Sequence, residues 1–460
     1  MTNRSYGART IPLLILLAGS TAVRAGGDSD VSTRDYPSIQ AAIDANPGKV
    51  VEVAPGVHEI DETIRIATEG GGLVGRARIV QKDSAKAIVR IDHADGAILR
   101  DLTLTRPEGL RETEAEAVLV TDSRDVSLAG LRILDNQTRS AAVELRNCDN
   151  GQVRDCLVQN YQRVGIDDRT DTPDQGFAFR CIIGTGILIR ECQGTLIQGN
   201  TVREDRLIAT PEVKREFELG RIIKKNAVRG RIASARDWER GETDNWMQGT
   251  AVHVGSPEAT DCTRVLGNLV ERAGQGFDIH ADHVILSQNI VNDALIGMKA
   301  MHGSKHVIVS NNQFIKNSLW SIGMMPGAAS LPARAAEGDR PARAANVDGG
   351  SIISGNIITD FGLGLTRWIW GDEAGGCPIR FDHAQVPENP PLADVIVTGN
   401  VVYDTGHDAI LKDGKPEVVP PRYRYAVLIE SGDSAPVGLH FSNNLFHPGL
   451  RGVSNVELKP

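Results

Sequence analysis

A short segment recurs along the chain, in which an apolar strand ends in a polar residue and Asn and is followed by another apolar pair. It occurs as LIQGNTV at 196–202, VLGNLV at 265–270, ILSQNIV at 285–291, IVSNNQF at 308–314, IISGNII at 352–358, VIVTGNVV at 395–402 and LHFSNNLF at 439–446. The recurring residues are Asn200, Asn268, Asn289, Asn312, Asn356, Asn400 and Asn444. Weaker copies lie at 97–104, 126–133 and 151–158. A strand-and-turn segment that recurs many times along a chain is typical of a solenoid.

The spacing of the repeat restricts the fold. The middle intervals are 21 and 23 residues and the last three are 44, which equals two turns or one turn with an insertion. A unit of this size cannot bury its own apolar face, whereas stacked units can. Alternating apolar residues broken by Gly, Asn and Asp predict short strands, which stack ~4.8 Å apart in parallel sheets. The asparagines suit tight left-handed corners and can stack as an amide ladder.

The N-terminal segment 37–60 predicts a short helix followed by a strand. Pro37 suits a first helical position, and Pro47-Gly48 ends the helix. Ile39, Ala42 and Ile43 form one apolar face. Such a helix would cover the open end of the solenoid, where backbone edges are otherwise exposed.

With SIQAAIDA and VVEVAPGVHEI ahead of the Asn-bearing coils, residues 35–455 resemble the right-handed parallel β-helix superfamily of pectate lyases. The resemblance implies an all-β, right-handed parallel β-helix with an N-terminal capping helix and with loop and helix insertions. It implies no single activity, because that fold carries lyases, hydrolases, epimerases and inert binding proteins.

The first 25 residues read as an export signal. Arg4 and Arg9 precede the apolar run IPLLILLA, and Val23-Arg24-Ala25 offers a small-residue cleavage site. We therefore expect a signal peptide at 1–25, a single domain at 26–460, and a secreted or periplasmic protein without a membrane segment after cleavage. A solenoid capped at both ends is expected to be a monomer.

Three insertions are expected, at 201–248, 327–349 and 361–393. The first predicts a helix from Thr210-Pro211, with Val213, Phe217 and Ile222 or Ile223 on one face. The second is rich in Ala, Arg and Pro and predicts a flexible loop. The third carries Trp368, Trp370 and Cys377.

The net charge restricts the class of ligand, and the cysteine count bears on whether disulfides form. The net charge of −9 argues against binding nucleic acid, but an acidic polysaccharide remains a suitable substrate if a local basic patch exists. Six cysteines in 460 residues favour buried thiols. If a disulfide forms, Cys181 with Cys192 or Cys148 with Cys192 is the expected pair.

Three strands present polar residues at equivalent positions. In TAVHVGS, GFDIHAD and GMKAMHG, period-two alternation turns the residues Val252, Val254, Phe277, Ile279, Met298 and Ala300 inward. His253, Asp278 and Lys299 then form one outward column on successive coils. His280 lies two residues along the same face, with Met301 and His302 above it. His283 and His306 are expected at surface corners.

A base, an acid and a cation on one rigid sheet suit proton abstraction beside a carboxylate. Removing the C5 proton of a uronic acid needs a base, for which His280 is suited, and a neutralising cation, for which Lys299 is suited. Asp278 and His253 could orient the substrate or re-protonate it. Substrate-binding residues are expected to include Arg190, Glu144, His302 and Trp246.

The strand GFDIH, followed by VILSQNIV, is similar to the Asp-Pro-His-Asp strand of alginate (mannuronan) C5-epimerases. Asp278 and His280 match the first Asp and the His, whereas Ile279 and Ala281 replace the Pro and the last Asp. The resemblance implies a catalytic base at His280.

Two other readings stay open. Asp167-Asp168 could serve as paired carboxylates in a glycoside hydrolase, or as a turn or cation ligand. A non-catalytic carbohydrate-binding or structural β-helix is the second alternative. No spacing predicts a metal site, although Ca²⁺ is a plausible cofactor because such lyases can use it to bridge carboxylates.

Overall fold

The backbone winds through three parallel sheets, one strand of each sheet in every coil. The computed structural model describes residues 31–460 except 167–179, 226–227, 233, 240–245, 257–259, 327–332, 334, 339–340, 343–346, 367–375, 384–388 and 433. The expected signal peptide, Asp167, Asp168, Trp368 and Trp370 lie outside the described residues.

Each main sheet contains 12 strands. Sheet A consists of β1 (Val50–Glu52), β4 (Gly72–Val74), β7 (Ile98–Arg100), β10 (Ser127–Ala129), β13 (Gln152–Arg154), β18 (Leu196–Gln198), β23 (Arg264–Leu266), β26 (Ile285–Ser287), β29 (Ile308–Ser310), β32 (Gly349–Ser354), β35 (Ala393–Thr398) and β40 (Val437–Ser442). Sheet B consists of β2 (Gly56–Ile60), β5 (Ala77–Gln81), β8 (Thr103–Thr105), β11 (Arg132–Leu134), β14 (Leu157–Gln159), β19 (Thr201–Arg203), β24 (Leu269–Glu271), β27 (Ile290–Asn292), β30 (Gln313–Ile315), β33 (Ile357–Thr359), β36 (Val401–Tyr403) and β41 (Leu445–Phe446). Sheet C consists of β3 (Ile64–Ile66), β6 (Val89–Asp92), β9 (Val118–Thr121), β12 (Ala141–Arg146), β17 (Thr185–Arg190), β22 (Thr250–Gly255), β25 (Gln275–Ile279), β28 (Ile296–Ala300), β31 (Trp320–Met324), β34 (Cys377–Phe381), β39 (Tyr425–Ile429) and β42 (Gly452–Ser454).

The remaining elements are short. Antiparallel hairpins are formed by β15 (Arg163–Ile166) with β16 (Arg180–Ile183), β20 (Ile222–Lys225) with β21 (Val228–Ile232), and β37 (His407–Lys412) with β38 (Lys415–Val418). The helices are a 3-10 turn (Thr33–Asp35), α1 (Ile39–Ala45), α2 (Pro211–Glu216) and α3 (Ala235–Glu239). All three hairpins enter where the chain passes from sheet B to sheet C.

The repeated asparagines form the predicted amide ladder. Each side chain from Asn200 to Asn400 donates to the Oδ1 atom of the next asparagine at 2.9–3.0 Å, and all of these residues are buried. Asn312 therefore bonds directly to Asn356, so an interval of 44 residues is one turn with an insertion. The predicted corner position was wrong by one residue, because the positive φ belongs to the residue before each asparagine, such as Gly199 or Gln288.

Helix α1 covers the first coil, as predicted. Ile39, Ala42 and Ile43 pack into the main core. The Gln40 side chain accepts from the backbone N–H of Arg65 at 2.8 Å and donates to its carbonyl at 3.2 Å, which occupies the free edge of β3. The helix begins at Ile39 behind the cap Ser38, so Pro37 precedes the cap rather than taking the first helical position.

The insertions differ in part from the predictions. Helix α2 begins at Pro211, as predicted, behind the cap Thr210, whose hydroxyl accepts from the N–H of Val213. It ends at Glu216, and Ile222 and Ile223 lie on strand β20 instead of on its face. The segment 361–393 is not wholly an insertion, because it contains β34 of sheet C.

The cysteine side chains are thiols and not disulfides. All six cysteines are free, with Cys262 exposed and the other five buried. Buried thiols are thus confirmed for five positions, and neither expected disulfide is formed. Within the described part of the chain, no helix is both long and apolar enough to cross a membrane.

Candidate active site

The predicted outward column is present on sheet C. His253 of β22 pairs in register with Asp278 of β25, which pairs with Lys299 of β28. The predicted inward residues of these strands, from Val252 to Ala300, are all buried in the core. The column continues below to Leu188 and above to Gly323.

Asp278 lies at the centre of a charged cluster. His253 Nδ1 contacts its Oδ2 atom at 3.2 Å, and Lys299 Nζ lies 3.5 Å from the same oxygen. His280 Nε2 lies 2.8 Å from Oδ1. The imidazoles of His253 and His280 meet edge to face, with their centroids 4.8 Å apart, and His302 packs on His280 in the same way at 4.5 Å. One carboxylate thus contacts two imidazoles and an ammonium group.

Burial and charge set the protonation states of this cluster. Burial opposes ionisation of Asp278, but His280, Lys299 and the hydrogen bond from His253 outweigh it and hold its pKa well below 3.8. Burial lowers the pKa of His280, against the attraction of Asp278. Burial, together with the charges on His280 and Lys299, lowers the pKa of His302 to about 3. At neutral pH the cluster therefore holds an ionised Asp278 beside neutral imidazoles at His280 and His302.

A buried carboxylate supports the turn that carries His302. Asp348 accepts from the N–H of Gly303 at 3.0 Å and from the N–H of Ser304 at 2.9 Å. The Ser304 hydroxyl contacts the carbonyl oxygen of Ile279, on the strand that bears Asp278, at 2.8 Å. Burial raises the pKa of Asp348 to about 7, against these two backbone contacts. The turn is thus tied both to the next coil and to β25.

The cluster opens into a cleft of about 630 Å³. Its walls include Ile183 of the β15–β16 hairpin and Gln248 at the end of the 201–248 insertion. The cations Arg139, Arg190 and Lys299 line it, whereas Asp278 is the single carboxylate among its described lining residues. In a chain with a net charge of −9, this cleft is locally basic.

The expected substrate-binding residues separate into two groups. Arg190 and His302 line the cleft, together with the three column residues and His280. Glu144 lies in the same column one coil below Leu188, but it is fully buried and paired with Arg146 at 2.6 Å. Trp246 is buried in a second apolar cluster with Cys181 and Met247. Glu144 and Trp246 are therefore not retained as candidates for contact with substrate.

Sequence reasoning missed two features of the cleft. The hairpin β15–β16 was not expected. The sequence indicated only the Asp167-Asp168 pair in this segment. Gln275 lines the cleft although alternation from Phe277 turns it inward. The alternation breaks at Gly276, where a Cβ atom would lie 3.0 Å from the core side chain of Val291, so this residue points into the core and Gln275 turns outward. A glycine inside an otherwise regular strand was the available signal.

Metal-binding capacity in the cleft rests on nitrogen donors. His253, Asp278 and His280 place one ligand atom each within 4.8 Å of one another. Calcium instead prefers six to eight oxygen ligands. One carboxylate flanked by Lys299 does not fit that requirement, so these residues are not suited to hold calcium.

The chain was compared with known proteins. No family model and no curated protein sequence matches it. In solved structures, a DFA-IIIase from Arthrobacter chlorophenolicus A6 is 11% identical with a TM-score of 0.55, over 94% of this chain and 99% of that chain. PfbA, a surface adhesin of Streptococcus pneumoniae, is 12% identical with a TM-score of 0.52, over 92% of each chain. The mannuronan C-5 epimerase AlgE6 A-module from Azotobacter vinelandii is 14% identical with a TM-score of 0.49, over 90% of this chain and 99% of that chain.

The DFA-IIIase and PfbA, whose TM-scores exceed 0.5, share the parallel coil of this chain. The chain is a right-handed parallel β-helix. The predicted fold is confirmed, and the low identities limit the comparison to the fold.

Proposed function

We propose that this β-helix acts on an acidic polysaccharide by abstracting the C5 proton of a uronic acid residue. The observation that carries the proposal is the basic cleft built around Asp278 in an otherwise acidic protein. The chain carries a net charge of −9, whereas Arg139, Arg190 and Lys299 line the cleft, so a polyanion is attracted there.

His280 is the proposed base. Its lowered pKa keeps the ring neutral at physiological pH, which leaves one ring nitrogen able to accept a proton. The ionised Asp278 faces Nε2 and favours a proton there, so Nδ1 would be the accepting atom. Asp278 would also hold His253 and Lys299 in place, since both contact its Oδ2 atom.

Lys299 and Arg190 are the proposed neutralisers. Loss of the C5 proton to the base places negative charge on the neighbouring carboxylate, and a fixed cation stabilises that charge. The intermediate then has two fates. Either the C4–O4 bond breaks, a C4=C5 double bond forms and the leaving O4 takes the proton held by His280, as in a lyase, or C5 takes a proton on its other face from His253 or water, as in an epimerase. Both fates use the same base and cations.

Glycoside hydrolysis fits the described cleft less well. That reaction commonly uses two carboxyl groups flanking the scissile bond. Asp278 is the one carboxylate among the described lining residues, and it is ion-paired and 9% exposed. The proton-abstraction mechanism needs no second carboxylate.

The test is to incubate the mature protein with a panel of uronic polysaccharides in heavy water. Ultraviolet absorbance of unsaturated uronate would identify a lyase, and NMR detection of deuterium at C5 without chain cleavage would identify an epimerase. The Lys299→Met variant, which removes the cation and keeps a similar chain length, is expected to lose most of either signal. Absence of both signals on every polymer would overturn the proposal, as would hydrolysis without exchange.

A further inference from the structure

A second histidine cluster lies outside the cleft, at the corner where the chain turns from sheet C to sheet A. Cys262, His283 and His306 occupy the same corner position in three successive coils, with φ angles of 55°, 48° and 56°. The N–H of Cys262 donates to the carbonyl of Asp282, and the N–H of His283 donates to that of Lys305. The sequence identified these histidines only as surface corners, but the coil spacing places their side chains in one outward column.

Each imidazole in this column is held by a carboxylate from the coil below. His283 Nδ1 contacts Asp261 Oδ1 at 3.0 Å, and His306 Nδ1 contacts Asp282 Oδ1 at 2.7 Å. The two rings stack with their centroids 4.5 Å apart and their planes 25° from parallel. About half of each side chain is exposed. The pair is therefore both oriented and accessible from solvent.

This arrangement has the chemistry of a metal-ligating pair. A histidine whose Nδ1–H is held by a carboxylate presents its other nitrogen as a lone pair, and this is the usual support behind a metal-bound histidine. Asp282 Oδ1 also lies 3.4 Å from His283 Nδ1, so this carboxylate contacts both rings. Imidazole donors favour divalent zinc, nickel and copper over calcium or magnesium.

We propose that His283 and His306 form a binding site for a divalent transition-metal ion, with Asp261 and Asp282 orienting the two rings. The site is separate from the cleft and does not depend on the proposed reaction.

The surroundings of the pair favour a cation and leave room for it. The two carboxylates, Asp261 and Asp282, outnumber the one ammonium group at the site, Lys305, whose Nζ lies 3.2 Å from Asp282 Oδ2. The next corner in the column is Gly350, and a Cβ atom there would come within 3.1 Å of His306 Cδ2. The absence of a side chain at this corner keeps the upper face of His306 open.

A different corner supplies a matched control. His93 has a positive φ of 52°, is exposed, and contacts Asp92 Oδ1 at 3.2 Å with Asp122 nearby. It has the carboxylates of the proposed site but lacks a second imidazole. If paired imidazoles create the affinity, His93→Ala should leave metal binding unchanged.

The experiment is isothermal titration of the full chain, carrying no polyhistidine tag, with Ni²⁺ and separately with Zn²⁺. We expect one equivalent to bind, at least a tenfold loss of affinity in His283→Ala or His306→Ala, and no change in His93→Ala. Unchanged binding in the double variant would overturn the proposal. So would loss of the ion in His253→Ala alone, which would assign the ion to the cleft.

A second measurement keeps the test independent of variant folding. Histidine imidazole signals of the wild-type chain are followed by NMR as Zn²⁺ is added, with assignments taken from the single variants that retain the wild-type melting temperature. Shifts confined to His283 and His306 support the site. Shifts confined to His253, His280 or His302, or no shift at millimolar Zn²⁺, contradict it.

Discussion

Two polar columns run parallel to the axis of this solenoid and differ in almost every other respect. The asparagine ladder stacks one residue type through seven coils, and each amide bonds the next. The column on sheet C stacks a His, an Asp and a Lys over three coils. Both use the same spacing between strands.

The difference lies in how completely the polar atoms are satisfied. In the ladder, each internal Oδ1 atom accepts from both the backbone and the side chain of its neighbour, as Asn312 does from Asn289. At the cleft, Asp278 Oδ1 and His280 Nε2 meet at 2.8 Å without hydrogen-bond alignment, and His302 Nδ1 is a buried atom with no hydrogen-bond partner among the described residues. A saturated column stabilises a fold, whereas an unsaturated one is available to a ligand.

Substitution at the cleft should affect turnover and not stability. In His280→Gln we expect turnover of uronate to fall by about 10²- to 10⁴-fold, the usual contribution of a general base. The melting temperature should stay within a few degrees of wild type, because the residue lies outside the core. Steady-state kinetics and calorimetry measure the two effects.

The matched control for this prediction is His440→Gln. His440 is exposed on sheet A, far along the chain from the cleft, and its ring contacts the terminal carbonyl of Pro460 at 3.4 Å. It should retain full activity. Wild-type turnover in His280→Gln would remove this residue as the base.

Substitution in the ladder should give the opposite pattern. Asn312→Ala leaves the buried N–H groups of Asn289 and the Leu286 carbonyl without their partner, and we expect a loss of about 3 kcal/mol. Asn444→Ala, at the half-buried end of the ladder, should cost only about 1 kcal/mol. Denaturant unfolding measures both. Equal losses at the two positions would show that saturation by neighbours is not what stabilises the ladder.

The pH dependence of stability should reveal the buried carboxyl behind the cleft. The pKa of Asp348 is raised to about 7, so between pH 4 and 7 the folded chain keeps a proton that the unfolded chain releases. Its contribution to stability is present below pH 4 and is lost as the pH rises. The free energy of unfolding of Asp348→Asn, relative to that of wild type, should therefore rise by about 1 kcal/mol for each pH unit across this range.

His302→Asn should show the reverse slope and serves as the control. The pKa of His302 is lowered to about 3, so below about 6.5 the unfolded chain binds a proton that the folded chain excludes. The neutral His302 therefore contributes to the stability of wild type at higher pH, and this contribution is lost as the pH falls. The variant lacks the titrating group and should not show this loss. Parallel melting curves for both variants across pH 4–7 would contradict the two assignments.

Thiol labelling should distinguish the exposed cysteine from the buried cysteines without any change to the sequence. Because Cys262 is the exposed thiol and the other five are buried, one equivalent should react in the native chain and six after unfolding without reductant. Labelling followed by mass spectrometry identifies each site. Four equivalents after unfolding would instead indicate that a pair such as Cys148 and Cys192 had oxidised.

The fold and the cleft column were predictable because they depend on local alternation. Alternation of inward and outward residues in three strands placed His253, Asp278 and Lys299 in one column. The recurring Asn predicted that the chain folds into stacked coils. Alternation states which side of a sheet a residue faces but not what covers that side. Glu144 shares the column, yet it is fully buried beneath neighbouring groups and paired with Arg146.

The walls and supports of the cleft could not be predicted from the sequence, because local alternation does not report contacts between distant segments. The β15–β16 hairpin and Asp348 act through contacts between distant segments. Asp348 lies in a stretch that composition assigned to a flexible loop, and its role depends on the register that places it beside Gly303 and Ser304.

The ladder also has a consequence for how such a protein can change over generations. The coil from Asn268 to Asn289 uses 21 residues and the coil from Asn312 to Asn356 uses 44, yet both pairs of amides meet at 2.9 Å. Surface segments can therefore lengthen, shorten or be exchanged without altering the interior. Selection can act on the rim of the cleft alone, and a lineage built on this coil can acquire new specificities while its scaffold stays the same.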